Sequence, residues 1–182
     1  DYGCGDPSKF VREGDVVLDL GSGGGKICYI AAQIVGPKGA VYGVDMNNEM
    51  LALARKYQSE LRQKFGSRLL DESSHRPTGR VIDDSESGMF IKFFKGKIQD
   101  LALNLDLVEE YLERNPVANV ADLQRLYEYT DALRANEPMI AGDSIDVVVS
   151  NCVLNLVKEE DRAQMFKEIF RVLKRGGRAA IS

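Results

Sequence analysis

At 182 residues the chain is long enough to bury a core, and its 44% hydrophobic and 29% charged content is that of a folded globular protein, not a fibrous or disordered one. A net charge of −4 argues against a general nucleic-acid binder, which presents a basic surface, and no apolar run approaches the roughly 18 residues of a membrane span. Cys4, Cys28 and Cys152 are odd in number and widely spaced, so no disulfide framework is expected, and free thiols fit a cytoplasmic protein.

Val16 to Leu20 is short, apolar and β-branched at two positions, as a buried parallel strand requires. The cluster Gly21-Ser22-Gly23-Gly24-Gly25 follows, and Lys26 to Val35 reads as a helix closed by Gly36-Pro37. Ala40 to Val44 is the next strand, with Asp45 at its tip. Asn47 is a candidate N-cap for a helix reaching about Phe65, whose apolar face is Leu51, Ala54, Tyr57, Leu61 and Phe65. Further strands are expected at Ile91 to Ile98, Ile145 to Ser150 and Arg178 to Ser182. A helix at about Glu160 to Leu173 carries a stripe of Ala163, Phe166, Ile169, Phe170 and Leu173, and Gly176-Gly177 turns the chain into the last strand.

The β-α-β-α order predicts an α/β fold: a doubly wound, mostly parallel, Rossmann-like sheet with helices on both faces. One domain, residues 1–182, is expected, with two departures from the alternation. Residues 66–88 are rich in Ser, Asp, Arg and Gly and read as a flexible loop, and residues 106–139 read as a helical insertion broken near Asn115-Pro116. No signal peptide is visible, and a start at Asp1 reads as a fragment or processed form. A sheet truncated after its fifth strand leaves an open edge, so further strands are expected beyond Ser182.

The strongest chemical signal is Asp19-Leu20-Gly21-Ser22-Gly23-Gly24-Gly25 between a strand and a helix. Glycines there allow a sharp turn and a close approach of ligand to backbone; the alternative is a tight turn with no ligand. A nicotinamide-dinucleotide fingerprint would need glycine at position 26, where Lys26 stands. An acid at the tip of the second strand, Asp45, can accept both ribose hydroxyls of a nucleoside, or it can cap the next helix. Met46 then lies beside a base or in the core. Asp100, after the strand ending in Ile98-Gln99, could be an N-cap for a helix starting at Leu101. Asn151 and Cys152 stand at the carboxyl end of a strand, where open α/β sheets place ligands. His75, the single histidine, lies in a polar loop and reads as a surface residue.

The spacing of Gly21, Gly23 and Gly25 after Asp19 resembles motif I of class I S-adenosylmethionine-dependent methyltransferases. Tyr2-Gly3-Cys4-Gly5, Leu18 to Gly23, Val35-Gly36, Gly43-Val44-Asp45-Met46, Gly96 to Leu101 and Ser150-Asn151-Cys152-Val153-Leu154-Asn155-Leu156 are similar, in the same order, to arsenite methyltransferases. The resemblance covers about residues 1–60, 91–103 and 143–182. It implies S-adenosylmethionine as cofactor and S-adenosylhomocysteine as product. The methionine part would lie on Asp19, Gly21, Ser22, Gly23 and Gly25, the ribose on Asp45, and the adenine near Met46, Gln99 and Asp100, with Asn151 close by. It further implies that Cys4 and Cys152 are substrate-binding thiols for trivalent arsenic, a soft element suited to soft ligands. The implied partner is a small molecule, with no nucleic acid, no membrane and no resident metal. The chain departs from the family pattern at Lys26-Ile27, where many relatives have Arg-Asp, and in its two long segments. A family cysteine beyond the last strand is also not in this chain. Methylation of an unrelated small organic molecule and a catalytically impaired cofactor-binding module are the alternatives. Cys28, on the first helix, is either a third thiol near the site or a small buried residue.

Overall fold

A computed structural model describes residues 7–65 and 90–182, the side chains of 61–65 excepted. Cys4, His75 and the expected loop 66–88 lie outside the described residues, as do the side chains of Leu61 and Phe65. In chain order the elements are β1 (Val16–Leu20), α1 (Lys26–Val35), β2 (Ala40–Asp45), α2 (Asn48–Phe65), β3 (Phe90–Lys95), α3 (Leu105–Arg114), α4 (Val120–Asn136), β4 (Ile145–Ser150), α5 (Glu159–Val172) and β5 (Leu173–Ile181). The strands form one wholly parallel sheet in the order β3-β2-β1-β4-β5.

Strand side chains alternate between two faces, and each face is covered. Val17, Val41, Ile91, Phe93, Val147 and Val149 pack with Cys28, Ala31, Ala32 and Val35 of α1 and with Leu51 and Ala54 of α2. Leu18, Leu20, Val44, Phe94 and Val148 face the other way, against Met165, Ile169 and Val172 of α5 and the pair Met139-Ile140. Burial on both faces explains why β1 and β4 read as near-continuous apolar runs. Among the described residues no helix is long and apolar enough to cross a membrane.

The segment expected to be a helical insertion carries α3 and α4, interrupted at residues 115–119 as the Asn115-Pro116 break implies. Asn104 caps α3 through the Asp106 N–H, and Asn119 with Asp122 forms a reciprocal capping box on α4. After α4 the chain is pinned back: Met139 N–H donates to Ala102 C=O (2.8 Å) and Ile140 N–H to Leu101 C=O (2.9 Å). The carboxylate of Glu168, buried on α5, accepts from the Leu101 N–H (2.8 Å) and from Nε and Nη2 of Arg171 (2.7 and 2.8 Å).

Four expectations are corrected. The buried stripe of α5 is Met165, Glu168, Ile169 and Val172, whereas Ala163 is exposed and Phe166 and Phe170 are 48% and 83% exposed. Both sets have helical spacing, and the ion pair of Glu168 with Arg171 makes the less apolar one compatible with burial. On α2, Tyr57 is exposed, and Gln58 is buried instead because its side-chain amide donates to Ile91 C=O (2.6 Å). The expected strand through Ile98 stops at Lys95, and Ile98 enters the core from a turn. β5 starts at Leu173, earlier than expected, with a register shift in its pairing to β4 and Gly176 in the left-handed region (φ 83°).

Candidate active site

β1 lies between β2 and β4. The chain leaves β1 for β2 through α1 on one face and reaches β4 by the long path through α3 and α4, so strand order reverses at β1. The carboxyl edge at β1 is therefore the switch point of the sheet, the place where doubly wound sheets hold ligands in a crevice.

The glycine loop is held from below. Val44 C=O accepts from both Gly21 N–H (2.8 Å) and Ser22 N–H (3.1 Å), and Gly25 N–H donates to Ser22 C=O (2.9 Å). Gly21, Gly23 and Gly25 all have positive φ, at 71°, 51° and 85°. They differ in what surrounds them. A Cβ on Gly21 would overlap the side chain of Val153, and one on Gly25 would come within 2.7 Å of the Phe93 ring. A Cβ on Gly23 would meet nothing within 4 Å among the described residues, so bare backbone borders open space there. Ser22 Oγ is buried and has no hydrogen-bond partner among the described residues.

Asp45 stands at the end of β2 and joins two elements. Its Oδ2 accepts from the Gly23 N–H (2.8 Å) and its Oδ1 from the Asn47 N–H (2.8 Å). Asn47 Oδ1 in turn caps α2 by accepting from Glu49 and Met50 N–H (2.9 and 3.2 Å), as its sequence position implies. Each carboxylate oxygen keeps acceptor capacity beyond its one bond, so Asp45 can still receive hydroxyls at the rim. Met46 is 62% exposed, which removes the core alternative for this residue.

Asp19 lies beneath the loop, 2% exposed. Burial, with a smaller contribution from the charge of Asp45, pushes its carboxyl up to about 7 against the lowering effect of a bond from Cys28. The Cys28 thiol donates to Asp19 Oδ2 (3.4 Å), and burial and the neighbouring acid push that thiol up. Cys28 is a free thiol, wholly buried against Phe93 and Gly43, where a glycine Cβ would come within 2.9 Å of its sulfur. It therefore belongs to the core and not to the open crevice. The Asp19–Cys28 pair was not foreseen, because a hydrogen bond from a helix back onto the preceding strand leaves no periodic trace.

Past β3, Gly96 N–H donates to Asp45 C=O (2.9 Å), bringing residues 96–100 to the same rim. Asp100 does not cap a helix, since α3 starts at Leu105 with Asn104 as its cap. Asp100 closes a turn on Lys97 and is paired with Arg134 of α4, whose Nε and Nη2 donate to Oδ2 at 3.1 and 3.0 Å. Gln99 is half-buried beside it.

On the β4 side, Asn151 Oδ1 accepts from Ser182 Oγ (3.0 Å), and Cys152 N–H donates to Ser182 C=O (2.9 Å). Cys152 is exposed and holds a left-handed backbone (φ 58°), an uncommon state for a side-chain-bearing residue. Its sulfur lies 3.6 Å from Asn151 Oδ1. Cys152 is disulfide-bonded, which corrects the expectation of free thiols at this position: wide spacing along a chain sets no distance in space. The structure thus gathers Gly23, Asp45, Met46, Asp100, Asn151 and Cys152 along one edge of the sheet, with Asp19 below. No cluster of three or more His, Cys, Asp or Glu suited to a metal ion occurs among the described residues.

Two family models, each described as a methyltransferase domain, match residues 12–68 and 87–181. Among curated relatives, the arsenite methyltransferase of Mus musculus is 31% identical over 97% of this chain and 32% of its own length. That of Halobacterium salinarum is 34% identical over 99% of this chain and 30% of its own. The crystal structure of CrArsM, an arsenic(III) S-adenosylmethionine methyltransferase from Chlamydomonas reinhardtii, superposes with a TM-score of 0.59 at 28% identity, covering all of this chain and 42% of that one. The chain spans about a third of the length of the curated relatives it matches.

Proposed function

This chain belongs to the methyltransferase-domain family, and from that membership we propose that it binds S-adenosylmethionine across the carboxyl edges of β1 and β2 and methylates a small soft nucleophile, a trivalent arsenical. The observation that carries the reading is the position of Cys152. It stands at the tip of β4 next to Val153, whose side chain packs on Gly21 of the glycine loop. The contact of Val153 with Gly21 ties the β4 tip to the loop on which the sulfonium end of the cofactor would lie, and this supports Cys152 as a substrate thiol.

The crevice fits the cofactor. Bare backbone at Gly23 borders open space that a Cβ would fill, and the adjacent Asp45 retains acceptor capacity at the rim. S-adenosylmethionine held there would supply an electrophilic methyl group, with S-adenosylhomocysteine as the product. The protein's residues orient the reactants. Gly21, Ser22, Gly23 and Gly25 would bed the amino-acid tail, with Asp19 buried beneath the loop on Cys28. Asp45 would accept the ribose hydroxyls, Met46, Gln99 and Asp100 would border the adenine, and Asn151, bonded to Ser182, would steady the β4 tip. Cys152, once its disulfide is reduced by a small-molecule thiol, would hold arsenic together with Cys4, the lone pair turned toward the methyl. That lone pair carries no proton, so no general base is needed and positioning supplies the acceleration. We place the whole protein in the cytoplasm with a small-molecule partner and no nucleic acid, a reading supported by the net charge of −4 and by the methyltransferase relatives.

Titration calorimetry with S-adenosylmethionine, S-adenosylhomocysteine and NAD tests the cofactor. Binding of the first two but not NAD is expected, and the reverse order ends the proposal. Arsenite binding to the reduced protein should be lost in Cys4→Ser and Cys152→Ser. Unchanged binding in both variants would leave the methyltransferase reading and remove arsenic as its substrate.

A further inference from the structure

Asp100, in the turn after β3, is paired with Arg134 of α4. The guanidinium of Arg134 places both Nε and Nη2 on a single oxygen, Oδ2. Among the described residues no side chain donates to Oδ1. A third nitrogen, Nη1, donates to Asp131 Oδ1 (2.8 Å), so the fork is braced from its own helix. Both halves of the pair are anchored. Leu133, next to Arg134, is buried, and the chain after α4 is pinned by Met139 and Ile140 to the carbonyls of Ala102 and Leu101. Leu101, next to Asp100, donates its N–H to the buried carboxylate of Glu168. The carboxylate plane of Asp100 is thereby set by a residue some 34 positions away in sequence. At 38% and 30% side-chain exposure, the pair contributes little to stability. What it supplies is orientation.

We propose that Arg134 is a positioning residue, brought to the cofactor crevice by the insertion, that locks Asp100 with one oxygen turned to accept a hydrogen bond from the adenine amino group. The proposal rests on the reading of Asp100 as the adenine contact and deepens it: the insertion tunes how strongly the site selects for an amino-bearing base. A free Asp100 would have to be ordered on binding, whereas the locked one is already placed. Lysine could keep the charge but not the two-nitrogen grip, so the conservative variant reports on geometry.

The test is calorimetry of the full chain with S-adenosylhomocysteine and with its analogue bearing hydrogen in place of the adenine amino group. Wild type should prefer the amino-bearing ligand. Arg134→Ala should weaken that ligand about fivefold, leave the analogue nearly unchanged and so shrink the preference, with Arg134→Lys falling between the two. If Arg134→Ala lowers both affinities equally, or neither, while Asp100→Ala still abolishes the preference, Arg134 is merely structural and the proposal fails by itself. If Asp100→Ala keeps the full preference, the Asp100 contact fails and Arg134 with it. If wild type binds neither ligand, the methyltransferase reading fails as well. Melting temperatures of all variants, measured in parallel, separate loss of fold from loss of selectivity.

Discussion

Replacing Asp19 by asparagine should change how stability depends on pH. In the folded protein the Asp19 carboxyl is pushed from 3.8 to about 7, first by burial and secondarily by the charge of Asp45. An acid with a raised folded-state value binds its proton more tightly folded than unfolded. Between about 4 and 7 the unfolded chain has lost that proton while the folded chain keeps it, so stability falls as pH rises through this window and levels off above it. A displacement of about three units corresponds to about 4 kcal/mol. The side-chain amide introduced by Asp19→Asn carries no titrating proton, so the variant lacks this slope and should gain on wild type progressively from pH 5 to 8. Urea denaturation of both proteins at unit pH steps reads the difference, and titrating groups remote from Asp19 cancel in the subtraction. Parallel curves for the two proteins across pH 5 to 8 would refute the placement of Asp19 as a buried, proton-holding acid.

Asp45→Ala should weaken S-adenosylhomocysteine binding by about 1–3 kcal/mol in calorimetry, because hydroxyl partners are lost and the Gly23 N–H loses its acceptor. Glu168→Ala should cost about 2 kcal/mol in denaturant unfolding, since the Leu101 N–H is left without its partner and Arg171 keeps only Ile140 C=O. Phe170→Ser, on the solvent side of α5, should move the same midpoint by less than about 0.5 kcal/mol. A large loss there would mean that α5 buries the face read from the sequence.

The parts of the fold carried by local pattern were legible. The apolar runs of β1 and β4, the glycine cluster between Leu20 and Lys26, the Asn47 cap and the break at Asn115-Pro116 all act within a few residues of themselves. The stripe of α5 was not, because Phe166 and Phe170 repeat with the same period as Met165 and Ile169, and only the long-range bond from Leu101 to Glu168 decides which set turns inward. Gln58 was missed for the same reason: its partner, Ile91 C=O, lies on a strand 33 positions away. In the candidate site, Asp45 and the glycines could be read from their places at strand ends. Arg134 could not, since nothing in a polar helix face indicates which of its charges finds a partner across the fold.

Asp19 and Asp45 show why strand-end position alone does not assign a role. Both follow short apolar strands, and their strands are neighbours in the sheet. Asp19 is the penultimate residue of β1, so its side chain points into the face covered by α1, where Cys28 meets it and water does not. Asp45 is the last residue of β2, beyond the reach of the helices, and its carboxylate turns to the loop amide of Gly23 and the start of α2. Asp19 lies level with Gly43, so two residues of difference in height along the sheet move a carboxylate from the buried interior to the rim. The charge on the rim then acts back on the buried acid, as the contribution of Asp45 to Asp19 shows. A ligand whose hydroxyls engage Asp45 while its positive centre lies over the loop would therefore meet two carboxylates made chemically unlike by the sheet edge itself.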